Sequence, residues 1–275
     1  MNELTTGSAS RPSTSDDDRV FFAQNRDPSQ EAWQHARHFL IDLDGTLVHS
    51  QQEPAEGAID LLHKLAGRYV VVSNNSTHTA AGLARQLRAR GLPLAADRLV
   101  LAGEQTLNFM METYPGARIR LVASTALQQQ ARALGCRLVD VAPEFVVLAR
   151  DERFSYAKLS TLVNDLRAGA RLVVSNPDLS HPALDGGIVP ETGALMQAVV
   201  ACAGVQPAHV IGKPENLLFI EGLRRLGATP AETLVIGDNP LTDALGAARL
   251  GMRCLLLGRD PQARARSPAA LLQLP

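Results

Sequence analysis

The chain has 275 residues, 45% of them apolar, with 27 basic and 28 acidic side chains interspersed and a formal net charge of −1. That is enough for one large or two modest packed domains, and it excludes both an extended basic face for nucleic acid and a membrane-spanning apolar run. Cys136, Cys202 and Cys254 are far apart and odd in number, which fits reduced thiols in a cytoplasmic protein and argues against a disulfide framework or a zinc site.

In chain order, residues 1–35 read as a polar extension, rich in Ser, Thr, Gly and Asp at its start, with a helical patch over 31–37. Phe39, Leu40, Ile41, Leu43, Leu47 and Val48 follow as a nearly continuous apolar strand of the kind buried on both faces of a parallel sheet, and Gly45 permits a sharp exit. Parallel sheets place ligands at the carboxyl ends of their strands, so Asp42 and Asp44 are expected at the mouth of a site. A helix over 57–66 leads to a β-branched strand at 69–72, which ends in Ser73-Asn74-Asn75-Ser76-Thr77. This turn fits either a phosphate-binding group at the start of the helix over 79–90 or a simple helix cap.

Between residues 99 and 172 a separate α/β rhythm is predicted: helices at 104–112, 125–134 and 156–167, and strands at 119–123, 137–141, 145–148 and 171–174. It carries no paired carboxylates and no glycine-rich phosphate cradle, so it is assigned to covering the site and choosing substrates. Residues 176–190 read as a loop, in which His181 is equally suited to touching a substrate or sitting in a surface turn. A helix over 192–203 precedes a short strand, 210–214, that delivers Lys213. Lys213 would be merely solvated in isolation, but beside strand-end acids it suits phosphate oxygens. The strand at 233–237 then repeats the opening pattern with Asp238, Asn239 and Asp243, and 252–257 is a last core strand before an uninformative tail.

Taken together, acids from Asp42, Asp44 and Asp238, a hydroxyl and amide from Ser73 and Asn74, and a cation from Lys213 make a metal–phosphate constellation. Oxygen ligands without Cys or His suit Mg²⁺. With Asp-Leu-Asp-Gly-Thr at 42–46, Ser73-Asn74-Asn75, Gly212-Lys213-Pro214 and Gly237-Asp238-Asn239-Pro240-Leu241-Thr242-Asp243, the chain resembles the haloacid dehalogenase-like phosphohydrolases over residues 39–257. The long insertion, with Asn176-Pro177-Asp178 and Pro190-Glu191-Thr192-Gly193-Ala194, resembles the C2-capped branch of 4-nitrophenyl, phosphoglycolate and pyridoxal phosphate phosphatases, and His181-Pro182 with Asp185-Gly186 is similar to a pyridoxal phosphatase substrate loop.

The resemblance implies a Rossmann-like parallel-sheet α/β core at 36–92 and 186–275, with a smaller α/β cap inserted at 93–185. It implies Asp42 as nucleophile and Asp44 as general acid and base, with Mg²⁺ held by Asp42, Asp238 and the carbonyl of Asp44. Ser73, Asn74, Asn75 and Lys213, with His181, would bind substrate, and Asp243 and Asn239 would support them from behind. The expected partner is a small phosphorylated metabolite, together with a possible second copy joined through the cap, without nucleic acid or membrane. The rival readings are a pyridoxal phosphate phosphatase specifically, a phosphomutase, a haloacid dehalogenase, and a non-catalytic phosphate-binding protein on the same core.

Overall fold

The computed structural model describes residues 30–49, 53–183 and 187–274. Two parallel sheets organise them. Strands β1 (His38–Ile41), β2 (Tyr69–Ser73), β3 (Leu99–Leu101), β10 (Thr233–Gly237) and β11 (Arg253–Leu256) form the first, in the order β11-β10-β1-β2-β3. Strands β4 (Ile119–Val122), β5 (Phe145–Leu148), β6 (Arg171–Val174) and β9 (His209–Val210) form the second, in the order β4-β5-β6-β9. Every ladder in both sheets is parallel. A small antiparallel hairpin pairs β7 (Ser180–Pro182) with β8 (Ile188–Pro190).

The apolar runs form strands because helices cover both faces of each sheet, so successive side chains all find apolar neighbours. In β1, Phe39 and Ile41 enter one cluster while Leu40 enters another, as the two-residue period of a strand requires. The first cluster takes α1 (Gln30–His35), α2 (Ala58–Lys64) and α3 (Ala80–Ala89) through Trp33, Leu61 and Leu83, all buried. The second runs from Leu40 and Val72 through Leu107 and Met110 of α4 (Ala102–Thr113) to Val147 and Val173 of the other sheet. One apolar body therefore joins the two sheets. On its far face the second sheet packs on α6 (Tyr156–Arg167) and α7 (Thr192–Ala203), while α5 (Thr125–Ala133) closes the near side through Leu127.

Several elements differ from the sequence reading. Leu43, Leu47 and Val48 are buried but not in a strand: the amides of Leu47 and Val48 both donate to the carbonyl of Leu43, closing a turn after Ile41. Residues 137–141 contribute one bridge, Leu138 to Ile119, and no strand, because Val141 at their end faces solvent and has no sheet to cover. The expected loop at 176–190 contains the β7–β8 hairpin. Strand β3 belongs to the first sheet and β9 to the second, so the sheets do not divide at residues 93 and 185 as expected. Helix α8 (Leu217–Leu226), absent from the sequence reading, lies against β1 and β2, where Gly222 is required: a Cβ there would come within 2.7 Å of Leu40 Cδ2.

The ends of the chain are also more integral than their composition suggests. Helix α1 falls within the expected extension, yet its Ala32 and Trp33 are core residues, while residues 1–29 lie outside the described chain. After α9 (Leu245–Arg249), helix α10 (Pro268–Leu272) docks on α2, the Ala269 amide donating to the Glu56 carbonyl at 2.9 Å and Leu271 fully buried. Leu271→Ala is expected to lower unfolding stability by about 2–5 kcal/mol in a denaturant titration, the cost of an unfilled core cavity; a peripheral tail would show no change.

Candidate active site

Asp42 follows β1, Ser73 ends β2, and Asp238 follows β10, so three adjacent parallel strands bring their carboxyl ends to one place. The Asp42 amide still donates to the Ile236 carbonyl at 2.8 Å, which fixes the nucleophile candidate in register with the neighbouring strand. Lys213 arrives differently from expectation. It stands three residues beyond β9, and the amides of Ile211 and Gly212 continue the pairing with the carbonyls of Val174 and Ser175, so the second sheet delivers the cation to the first.

Lys213 is 3% exposed, and its Nζ lies 2.5 Å from Asp42 Oδ1 and 2.7 Å from Asp243 Oδ1. Burial alone would lower its pKa, but Asp243 and Asp42 outweigh that and hold the ammonium charged well above the usual lysine range. Oxygens of Asp42, Asp238 and Asp243 all lie within 4.8 Å of one another. Three carboxylates thus share one lysine. Burial, then Asp243, push Asp238 up to about 6; burial likewise raises Asp42, aided by Asp243 and Asp238 and opposed by Lys213.

This donor set fits a hard divalent cation, being all oxygen and short of positive charge. Gly45 makes room for the Asp238 carboxylate: at φ +88°, a Cβ there would lie 2.2 Å from Asp238 Oδ2. Asp42 and Asp238 are the natural ligands. Asp243 is committed elsewhere, one oxygen to Lys213 and the other to the Asn239 amide at 3.2 Å, and Asn239 in turn accepts from the Leu241 amide.

Asp44 is not part of this acid cluster. Ser73 Oγ donates to Asp44 Oδ2 at 3.3 Å and accepts from the Asn75 amide at 3.1 Å. The Asp44 carboxyl keeps a solvent-facing edge, yet the protein crowds it enough that desolvation raises its pKa, with Ser73, Lys213, His181 and His78 pulling it back. A raised carboxyl suits a group that must hold and release a proton.

The turn after β2 does two things at once. Thr79 caps α3 by accepting from the Gly82 amide, and Asn75 Oδ1 accepts from the amides of Thr77 and His78, so the capping interpretation holds for these side chains. Asn74 is fully engaged: its Nδ2 donates to Asp178 and to the Lys213 carbonyl, and its Oδ1 accepts the Lys213 amide at 2.7 Å. Its side chain therefore positions Lys213 and has no donor left for a phosphate oxygen.

Sequence reasoning assigned no role to Asp178, Asn176, Arg150 or Glu191. Asn176 is buried among Ser76, Thr192 and the Asn74 carbonyl, and it pins the second module to the turn after β2. The Asn-Pro-Asp step at a strand end was the available signal. His181 is half-exposed, its Nδ1 2.7 Å from Glu191 Oε1, and it stands near enough to Asp44 for its charge to be felt there. Asp185 and Gly186, which completed the substrate-loop resemblance, lie outside the described residues.

Residues 36–251 match the haloacid dehalogenase-like hydrolase family, most of the chain and all of the site. The protein belongs to that family. Within it, the chain is 30% identical over 222 residues to a dihydroxyacetone phosphatase of Corynebacterium glutamicum, covering 80% of each protein. A 4-nitrophenylphosphatase from Thermotoga maritima superposes with a TM-score of 0.80 at 26% identity, over 87% of this chain and 97% of that one. A glycerol phosphate phosphatase from Mycobacterium tuberculosis, solved in complex with magnesium, gives 0.76 at 27% identity over 87% and 77%. This haloacid dehalogenase-like hydrolase is thus an enzyme, a phosphoric monoester hydrolase, and none of its described helices is long and apolar enough to cross a membrane.

The crowded acids make a test. Folded Asp238 keeps its proton up to about pH 6, whereas an ordinary aspartate loses it near 3.8, so the folded state binds more protons between those values. Stability of the chelator-treated hydrolase is therefore expected to fall as pH rises through that window, with the full cost present above it. Asp238→Asn is expected to flatten this part of the melting-temperature profile, and an unchanged slope would show that Asp238 ionises normally.

Proposed function

We propose that the protein is a Mg²⁺-dependent phosphatase acting on small phosphomonoesters through an aspartyl-phosphate. The observation that carries this reading is the meeting of Asp42, Lys213, Asp238 and Asp243, together with the Asp44–Ser73 pair. Asp42, oriented by Lys213 at Oδ1, bonds through a carboxylate oxygen to phosphorus as the ester P–O bond breaks. Asp44 gives its proton to the departing alkoxide, then takes one from the water that attacks phosphorus and releases Asp42. Lys213 and Ser73 hold the transferring oxygens, and Asp243 with Asn74 keeps Lys213 aimed. Asp42, Asp238 and the Asp44 carbonyl would hold Mg²⁺, whose charge, when bound, offsets the repulsion between carboxylate and phosphate.

The second acid separates hydrolysis from uses of the same nucleophile that preserve the covalent phosphate, since Asp44 is placed to activate water. The relatives named above act on dihydroxyacetone, 4-nitrophenyl and glycerol phosphates, which supports a small, unassigned phosphomonoester as substrate here. The test is phosphate release from 4-nitrophenyl phosphate with Mg²⁺. Asp42→Asn is expected to abolish turnover with its melting temperature retained, and Asp44→Asn to slow kcat by about 10²–10⁴-fold. Mg²⁺ alone is expected to raise the melting temperature of the wild type but not of Asp238→Asn. Near-normal turnover by Asp42→Asn would remove the covalent mechanism.

A further inference from the structure

Asp44 marks the leaving-group side of the site, because it is the acid that meets the ester oxygen. What faces Asp44 therefore faces the part of the substrate that distinguishes one phosphomonoester from another. The turn after β2 connects Asp44 to its surroundings: Ser73 Oγ donates to Asp44 and accepts from the Asn75 amide, His78 Nδ1 lies 3.3 Å from Asn75 Oδ1, and the Arg150 amide donates to Ser76 of the same turn. The neighbouring side chains come from separate elements: His78 precedes α3, Arg150 and Glu152 follow β5, His181 lies in β7, and Glu191 directly follows β8.

They are linked to one another. Glu191 Oε1 accepts from His181 Nδ1 at 2.7 Å and pairs with Arg150 at 3.3 Å, while Arg150 also reaches Glu152 at 3.1 Å. The backbone holds the set in place: the Arg150 amide donates to the buried Ser76 Oγ, and the Glu191 amide to the Leu179 carbonyl. The Arg150 and Glu191 side chains are only 20% and 16% exposed, so both are fixed more firmly than ordinary surface ions.

We infer that Arg150, Glu191 and His181 form a rail that selects a neutral, polyhydroxylated leaving group. The inference rests on the phosphatase reading above and deepens it. Arg150 is already paired with Glu152 and Glu191, so a substituent carboxylate on the substrate would have to compete with both for one guanidinium. A hydroxyl can donate to Glu191 and accept from Arg150 or His181, satisfying both signs of the rail at once. Phosphorylated polyols and small sugars carry such hydroxyls next to the ester; 4-nitrophenyl phosphate carries none.

The test compares kcat/KM for glycerol phosphate, phosphoglycolate and 4-nitrophenyl phosphate in the wild type, Glu191→Gln and Arg150→Ala, with thermal unfolding of each variant as a check on folding. The wild type is expected to prefer glycerol phosphate to phosphoglycolate. Glu191→Gln, which keeps shape and loses charge, is expected to lower the glycerol phosphate to 4-nitrophenyl phosphate ratio about tenfold, mainly through KM, as befits a lost charge-assisted hydrogen bond. Arg150→Ala is expected to lower the same ratio. A wild type that prefers phosphoglycolate, or a ratio unmoved in folded Glu191→Gln, overturns the rail while leaving the phosphatase intact. Failure to release phosphate from any of the three esters overturns the underlying reading instead.

Discussion

The Lys213 ammonium, wedged between Asp42 and Asp243 and almost wholly buried, is the interaction on which the rest of the site depends. A buried lysine is costly unless opposite charges surround it, and three clustered carboxylates are costly unless cations do. Each solves the other's problem only in part, because the acids outnumber the lysine. Burial first, and the neighbouring acids after it, raise the pKa of Asp42 and of Asp238, and the charge left over suits a further cation. The repulsion that would unsettle an ordinary core becomes, at this place, the property the chemistry uses.

Delivery of Lys213 also explains why the second module is more than a cover. The lysine follows β9, a strand of the second sheet, and its backbone is gripped on both sides by the Asn74 side chain from the first. Asp178, at the exit from β6, holds the same Asn74 amide. Around it, Asn176, Ser76 and Thr192 form a buried hydrogen-bonded group whose members come from both modules, each satisfied and so able to define a single arrangement. Gly212 and Gly193 permit the close approach, since a Cβ at either would lie within 2.5 Å of Asn74 Oδ1 or of the Pro177 carbonyl. This joint therefore fixes the backbone of Lys213 directly.

Much was legible in the chain because parallel strands buried on both faces are written as uninterrupted apolar runs, and their ends as abrupt changes to Asp, Ser or Asn. Phe145–Leu148, Tyr156–Arg167, Arg171–Val174 and Thr192–Ala203 match the pattern residue for residue. Where the pattern misled, a local apolar signal was satisfied by something other than the expected partner. Leu43, Leu47 and Val48 bury themselves in a turn, and Leu138 makes a single bridge because the sheet ends at β4. Leu271 and Trp33 looked peripheral because each lies in a short segment near an end of the chain, too brief to show a period, yet each fills a gap beside α2 or β1.

The sequence by itself determined the strand ends, the identity of the acids, hydroxyl and lysine set there, and through them the family, because these depend on residue type and short spacing. Only the tertiary structure decided which sheet carries Lys213, that Asn74 spends its side chain on that lysine, and that Arg150 and Glu191 stand beside His181. Lys213 and Asn74 are separated by 139 positions, and no local periodicity records a contact that exists only once two sheets are packed together.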